Sequence, residues 1–422
     1  MNAAPVSPPE LLAPAGDWES LRAAVAHGAD AVYFGLPNFN ARQRAANFAL
    51  AELPEVVGYL HDHNVRGYVT FNTLIFPDEL QRATEYARAI ADAGADAVIV
   101  QDLGLIELLR RLVPSLPIHA STQMTQTEPA GIELLRALSV SRVILARELS
   151  LAELTRLMRG TTLPVEVFVH GALCVSFSGQ CLASESLWGR SANRGVCGQA
   201  CRLPYQLVVD GRPHPLGDRD YLLSPHDLAA YDRLPQLVEL GVAAFKIEGR
   251  LKSAQYVAAA TRVYRAALDA AVRREPHTLS SEAAASLSQS FSRGFGHGFL
   301  DGVNHQTLVP GRFPKSRGVY IGRVVEKTRG AVVVELADAA AKCPAKPGDG
   351  VVFDQGHPEQ DEQGGRVFAV KPFGPAVGRE KTGTGTAGRP LAVSRRGWRG
   401  ASPRFLLSFG RGYVNLAAVA IG

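Results

Sequence analysis

The chain has 422 residues, 46% hydrophobic and 20% charged, an ordinary globular composition with material for a large core and two or three domains. No run of about 18 apolar residues is present, which excludes a membrane-spanning helix. Met1–Pro9 lacks the basic start and apolar stretch of a signal peptide, so the expected compartment is the cytoplasm. The formal net charge of +5 is too mild to identify a nucleic-acid partner by itself.

In chain order, short β-branched or apolar runs alternate with amphipathic stretches over the first 250 residues. The predicted strands are Leu11–Ala15, Ala31–Gly35, Gly67–Asn72, Ala97–Gln101, Pro117–Ser121, Arg142–Ala146, Val165–His170 and Ala243–Ile247. Predicted helices between them include Trp18–His27, Pro77–Ala93, Gly104–Leu112, Pro129–Leu138 and Leu151–Met158. Alternating β and α units imply parallel strands with right-handed crossovers, and eight strands in about 240 residues suit a closed TIM-like (β/α)8 barrel. A doubly wound sheet is the alternative, but the turn after the first strand reads APAGDWES and not G-x-G-x-x-G. The crossover between strands seven and eight is abnormally long. It carries four cysteines, a Gly/Ser-rich stretch and an expected hairpin around Tyr205–Val209 and Gly211. Loops after barrel strands form the catalytic face, so chemistry is expected there.

Helices are expected at Ser253–Val272 and Ser281–Ser290. From Arg317 the pattern changes to short strands in GVYIGRVVEK, AVVVELAD, GDGVVFDQ and GRVFAVKP, the mark of a small antiparallel, barrel-like β-domain. The expected division is a barrel over 10–252 with an insertion at 171–224, a helical connection over 253–312, and a β-domain over 313–422. Basic residues from Arg379 to Arg411, interleaved with Trp398, Phe405, Phe409 and Tyr413, suit either phosphate and base contact or a solvated basic surface.

Four of the five cysteines, Cys174, Cys181, Cys197 and Cys201, fall in one loop as C-x6-C-x15-C-x3-C. In a reducing compartment such clustering points to metal or redox chemistry, whereas Cys343 stands apart as a free thiol. Four thiolates serve tetrahedral zinc or an iron–sulfur cluster. Only the second pair has the tight spacing of a zinc knuckle. Glycines through the loop would let it wrap a bulky centre.

The stretch Glu166–Cys201 resembles the signature of the peptidase U32, or collagenase-like protease, family. LLAPAGDWESLRAAVAHGADAVYFG (Leu11–Gly35), FNAR (Phe39–Arg42), RVILARELS (Arg142–Ser150), KIEGRLKSAQYVA (Lys246–Ala258) and SRGFGHGFL (Ser292–Leu300) match the same family in order. NHQTLVPGRFPKSRGVYIGRV (Asn304–Val324) is most similar to its ribosomal-RNA hydroxylase branch. The resemblance implies an enzyme hydroxylating a pyrimidine of ribosomal or transfer RNA, with a 4Fe-4S cluster on Cys174, Cys181, Cys197 and Cys201 and prephenate as a possible co-substrate. It equally implies collagen-degrading peptidase activity for some members. The residues themselves favour the hydroxylase: there is neither a G-x-S-x-G elbow nor an H-E-x-x-H helix. A non-enzymatic binding module built on a structural metal is the third reading.

Polar residues at the predicted strand ends complete the candidate site. Arg147 and Glu148 after strand six, His170 ending strand seven, and Glu248 and Arg250 after strand eight are the candidate catalytic residues. Asn40, Arg42, Asn72, Asp102, Ser121 and Gln123 are the candidate substrate-binding residues. Pairing of Arg147 with Glu148, or of Lys246 with Glu248 and Arg250, would instead be structural. His119, Tyr33, Phe34, Phe71 and Phe168 are assigned to the core.

Overall fold

The computed structural model describes residues 8–328, 330–337, 345–355, 362–373 and 404–409, with Val414 and Val419. Cys343, Trp398, Tyr413 and most of the basic C-terminal stretch lie outside the described residues. The chain divides into two compact units, Met1–Ser316 and Arg317–Gly422.

The first unit is a closed barrel. Its early strands are β1 (Glu10–Ala15), β2 (Ala31–Gly35), β3 (Arg66–Phe71) and β4 (Ala97–Val100). They continue with β5 (Ile118–Ala120), β6 (Arg142–Ile144) and β7 (Val165–Ala172). A hairpin, β8 (Val208–Val209) and β9 (Arg212–Pro213), and β10 (Asp227–Ala229) precede β11 (Ala244–Ile247). Strands β1 to β7 pair in parallel in sequence order, and β11 joins β1 to β7 to close eight strands. The hairpin turns at Asp210 and Gly211, both with positive φ, as a type I′ turn requires.

Helices α1 (Trp18–Ala26), α2 (Leu53–Asp62), α3 (Leu80–Asp92), α4 (Leu103–Leu112), α5 (Pro129–Ala137) and α6 (Leu151–Arg159) connect the strands. Each start has a local cause where the sequence supplies one. Asp17 caps α1 through Ser20 N, Asp102 caps α4 through Leu105 N, and Ser150 with Glu153 forms a capping box on α6. Helix α2 had no counterpart among the predicted helices.

The β7–β11 crossover holds the short α7 (Ala183–Trp188), the hairpin, β10 and α8 (Leu234–Glu239). Strand β10 runs antiparallel on β7 and carries a further strand, β12 (Phe295–Gly296). The long α9 (Ala254–Arg273) follows the barrel and packs beside α1, with α10 (Ser281–Ser290) beside it and the short α11 (His305–Leu308) beyond.

The barrel interior below its mouth is not the usual stack of branched apolar residues. Glu10 accepts from Arg142 at 2.5 Å and from Tyr68 at 3.0 Å, and pairs with Arg66. Glu166, fully buried, accepts from Lys246 at 2.8 Å and lies 3.5 Å from Arg142. His119 sits edge-on to Tyr68, its basicity far below normal because of burial and then the cations Arg142, Lys246 and Arg66. Buried charges persist only when paired, and these are.

The second unit is a five-stranded antiparallel sheet of β13 (Gly322–Thr328), β14 (Ala331–Leu336), β15 (Gly350–Val352), β16 (Gly364–Pro372) and β17 (Arg404–Phe409). Their order is β13-β14-β17-β16-β15 around a small core of Val332, Val334, Leu336, Phe353, Val367 and Leu407. Strand β17 was not predicted. Arg404 pairs with Glu335 at 2.9 Å, and Phe405 and Phe409 pack on that small core instead of standing free as stacking residues.

Candidate active site at the barrel mouth

A cavity of about 470 Å³ opens at the C-terminal ends of the strands, a volume suited to a small molecule or a single nucleotide. The β7–β11 crossover forms its outer wall, and the loops after β2, β3, β5, β6 and β11 form the rest.

The crossover is seated on the barrel by close backbone approach. Gly179 has φ +76, and a Cβ there would lie 2.0 Å from Gln123 O. Gly195 has φ +88, and a Cβ there would lie 2.2 Å from Asn40 O. Just before Gly179, Glu148 accepts from Ser178 N and from Ser178 Oγ at 3.3 Å, and Thr125 Oγ1 donates to Ser178 O. Arg194 clamps the far side with two bonds to Glu79, at 2.6 and 2.7 Å, and lies over the Phe76 ring. Arg194 holds the Glu79 carboxyl down at about 2.

Cys174, Cys181, Cys197 and Cys201 are all half-buried free thiols on the cavity wall. Burial pushes the Cys201 thiol up. Arg202 opposes this, and the proximity of Cys174, Cys197 and Cys181 adds to it. Gln199 N points at Cys197 Sγ at 3.4 Å. Among the described residues, no group of three or more His, Cys, Asp or Glu side chains could hold a single metal ion.

At the inner wall Arg42 bonds Glu248 through Nε at 3.3 Å and Nη2 at 3.2 Å. Burial pushes the Glu248 carboxyl up, but Arg42, Arg147, Arg250 and Lys246 outweigh it and leave Glu248 below its ordinary range. Arg250 donates to Thr70 Oγ1 at 2.8 Å and to Asn40 Oδ1 at 3.1 Å, and burial draws it down to about 10. Asn40 also accepts from Arg42 N at 2.8 Å, so it positions both arginines. Asn72 Nδ2 donates to Ser121 Oγ at 3.2 Å, and both line the cavity with Gln123. Arg147 donates to Ala172 O at 2.6 Å and covers Phe168.

Eight lysine and arginine side chains line the cavity against one carboxylate, Glu248. Three of the eight have carboxylate partners: Arg42, Lys246 with Glu166, and Arg293 with Asp227. Arg44, Arg147, Arg202, Arg250 and Lys252 have none among the described residues.

Four candidates lie outside the cavity lining: Asn40 and Glu148, which brace it through Arg42, Arg250 and Ser178, and Asp102 and His170. Asp102 spends one oxygen on Leu105 N and the other on Ile75 N, as a cap outside the cavity lining. His170 is 1% exposed and packs among Tyr256, Tyr264 and Phe295, with both ring nitrogens unpartnered among the described residues. Burial draws it down to about 4, against the pull of Asp227. It is a neutral core ring, not a cavity residue. Glu148 braces Ser178 and Arg147 bonds a carbonyl, so they do not pair with each other. Lys246 pairs with Glu166 and not with Glu248. Lys252, Arg202, Arg293 and Arg44 had gone unremarked. The Arg202 signal was available, since it directly follows the fourth cysteine.

Residues 16–310 match the model of peptidase family U32. The chain belongs to that family. Within it, the chain is 38% identical over 81% of its length to a 23S rRNA 5-hydroxycytidine synthase of Escherichia coli, of which it covers 52%. It is 37% identical over 78% of its length to a protein of Methanocaldococcus jannaschii named uncharacterized protease MJ0090, covering 83% of it. It is 36% identical over 62% of its length to tRNA hydroxylation protein P1 of Bacillus subtilis, covering 63% of it. The chain thus spans about half the length of the Escherichia coli relative. Among the described residues, no helix is long and apolar enough to cross a membrane.

Proposed function

We propose that this U32 protein is an iron–sulfur-dependent enzyme that hydroxylates a pyrimidine base of RNA. The observation that carries the reading is the convergence of four cysteines and an excess of cations on one barrel-mouth cavity. Relatives named for 23S rRNA and tRNA hydroxylation support the substrate class.

Cys174, Cys181, Cys197 and Cys201 would hold a four-iron–four-sulfur cluster. A tetrahedral zinc ion, the alternative occupant, would need the four thiolates within ~3.8 Å of one another. A cubane spaces its thiolates more widely and accepts backbone amide donors such as Gln199 N. Bound there, the cluster would supply redox or Lewis-acid chemistry beside the cavity.

The remaining steps belong to the chain's own groups. Glu248 is ionised and held by Arg42, so it offers a fixed negative charge and a hydrogen-bond acceptor at the cavity wall. Asn72, Ser121 and Gln123 offer donors and acceptors to a base edge. Replacing C–H by C–OH adds one oxygen atom and removes two electrons from the base, so a co-substrate must bring the oxygen and accept the electrons. A small anionic co-substrate, for which prephenate is the candidate, would meet the guanidinium groups of Arg147 and Arg250, which lack carboxylate partners. The peptidase reading needs a nucleophile beside a base. Here Ser178 is tied to Glu148, and His170 lies outside the cavity.

Mass spectrometry of ribosomal and transfer RNA nucleosides from a deletion strain tests the reading. One hydroxylated pyrimidine should vanish and return with the intact gene but not with Cys201→Ser. Unchanged nucleosides would refute it.

A further inference from the structure

Phe177 sits on the turn between Cys174 and Cys181, lines the cavity and is 63% exposed. An aromatic ring held so far out of the core forgoes the gain from burial, and it has no aromatic neighbour among the described residues. The turn beneath it is nevertheless rigidly fixed. Gln180 N donates to Phe177 O at 3.1 Å, and Ser178 is held from both sides by Glu148 and Thr125. Gly179 is wedged against Gln123 O. The chain thus presents an uncovered ring on a preorganised support, at the edge of a cavity whose cations outnumber its carboxylates.

On the reading of this cavity as an RNA-base site, we infer that Phe177 is the stacking platform for the base presented to it. The ring takes the face of a pyrimidine turned out of its strand, and Arg44, exposed on the loop after β2 without a carboxylate partner among the described residues, takes a flanking phosphate. Charge decides the occupant: an apolar peptide would leave Arg44 unanswered, whereas a nucleotide supplies both the π-face and the anion.

The test uses the full chain, purified anaerobically, as wild type, Phe177→Ala and Phe177→Trp. Binding of short oligocytidine and oligouridine is measured by fluorescence anisotropy, with iron content and circular dichroism as controls. Phe177→Ala should keep its iron and its fold yet bind about 5- to 150-fold more weakly, the worth of one stacked base. Phe177→Trp should restore affinity, and its added indole fluorescence should be quenched on binding. Arg44→Ala should lower the salt dependence of binding by about one phosphate contact. Equal affinity of Phe177→Ala and wild type would overturn the inference, as would loss of iron in Phe177→Ala, which would make the ring a support for the cysteines. In the deletion strain, a wild-type gene that restores a hydroxylated pyrimidine while Phe177→Ala restores it equally sinks this inference alone. A wild-type gene that changes no nucleoside sinks the RNA reading beneath it.

Discussion

Replacing Glu166 by Gln removes the carboxylate that answers Lys246 inside the barrel. Both side chains are almost wholly buried, the ion pair is 2.8 Å long, and Arg142 lies 3.5 Å from the same carboxylate. Breaking one side of a buried pair costs about 3–5 kcal/mol, because the remaining charge keeps its desolvation penalty. Burial already draws the Lys246 ammonium below its usual range, with Glu166 the main opposing influence. In Glu166→Gln the amine should therefore shed its proton nearer neutrality and recover part of that cost. Guanidinium unfolding followed by helical circular dichroism reports the first unit, where all the described α-helices lie. The expected loss is about 3 kcal/mol for Glu166→Gln and less for Glu166→Leu combined with Lys246→Met, which removes both charges. A single variant within about 0.5 kcal/mol of wild type would refute the view that this pair carries the barrel floor.

Other outcomes follow from the same geometry. His170 titrates at about 4 in the fold and near 6.5 when unfolded, so the unfolded chain binds the extra proton between these values. Stability should fall as pH drops through that window, by at most about 3 kcal/mol, and His170→Phe should flatten this limb of a urea-midpoint series. Gly195→Ala forces a Cβ to within 2.2 Å of Asn40 O at φ +88, so limited proteolysis should cut the cysteine loop faster than in wild type. The Glu79–Arg194 pair contributes stability above the ordinary carboxylate value, and this is lost as pH falls towards about 2. In Arg194→Ala the Glu79 carboxyl should titrate higher by NMR, towards its ordinary range.

The barrel was legible because its strands are buried on both faces and read as short apolar runs such as AVYFG and AVIV, separated by capped helices. The cysteine loop was legible by clustering alone. The pairing of Lys246 with Glu166 was not, since 80 residues separate them and only barrel closure sets β7 beside β11. His170 was misread for a local reason. Alternation from Glu166 through Phe168 would turn it inward. A register shift instead matches Lys246 with Phe168 and Ile247 with His170, leaving Val169 as an extra residue in β7. The ring then packs with Tyr256 and Tyr264 of α9. Asp102 was read as a substrate-binding residue because it follows β4, yet the same position is the N-cap of α4. Strand β17 was hidden because its arginine and phenylalanines read as part of a basic surface stretch, not as a strand facing β14.

Iron and acid-labile sulfide analysis of the anaerobically purified chain, beside Cys201→Ser, tests the central claim most directly. The expected result is a brown protein with about four irons and four sulfides per chain, both lost or sharply reduced in the variant. A colourless protein that carries zinc, or an iron content indifferent to the cysteines, would contradict it.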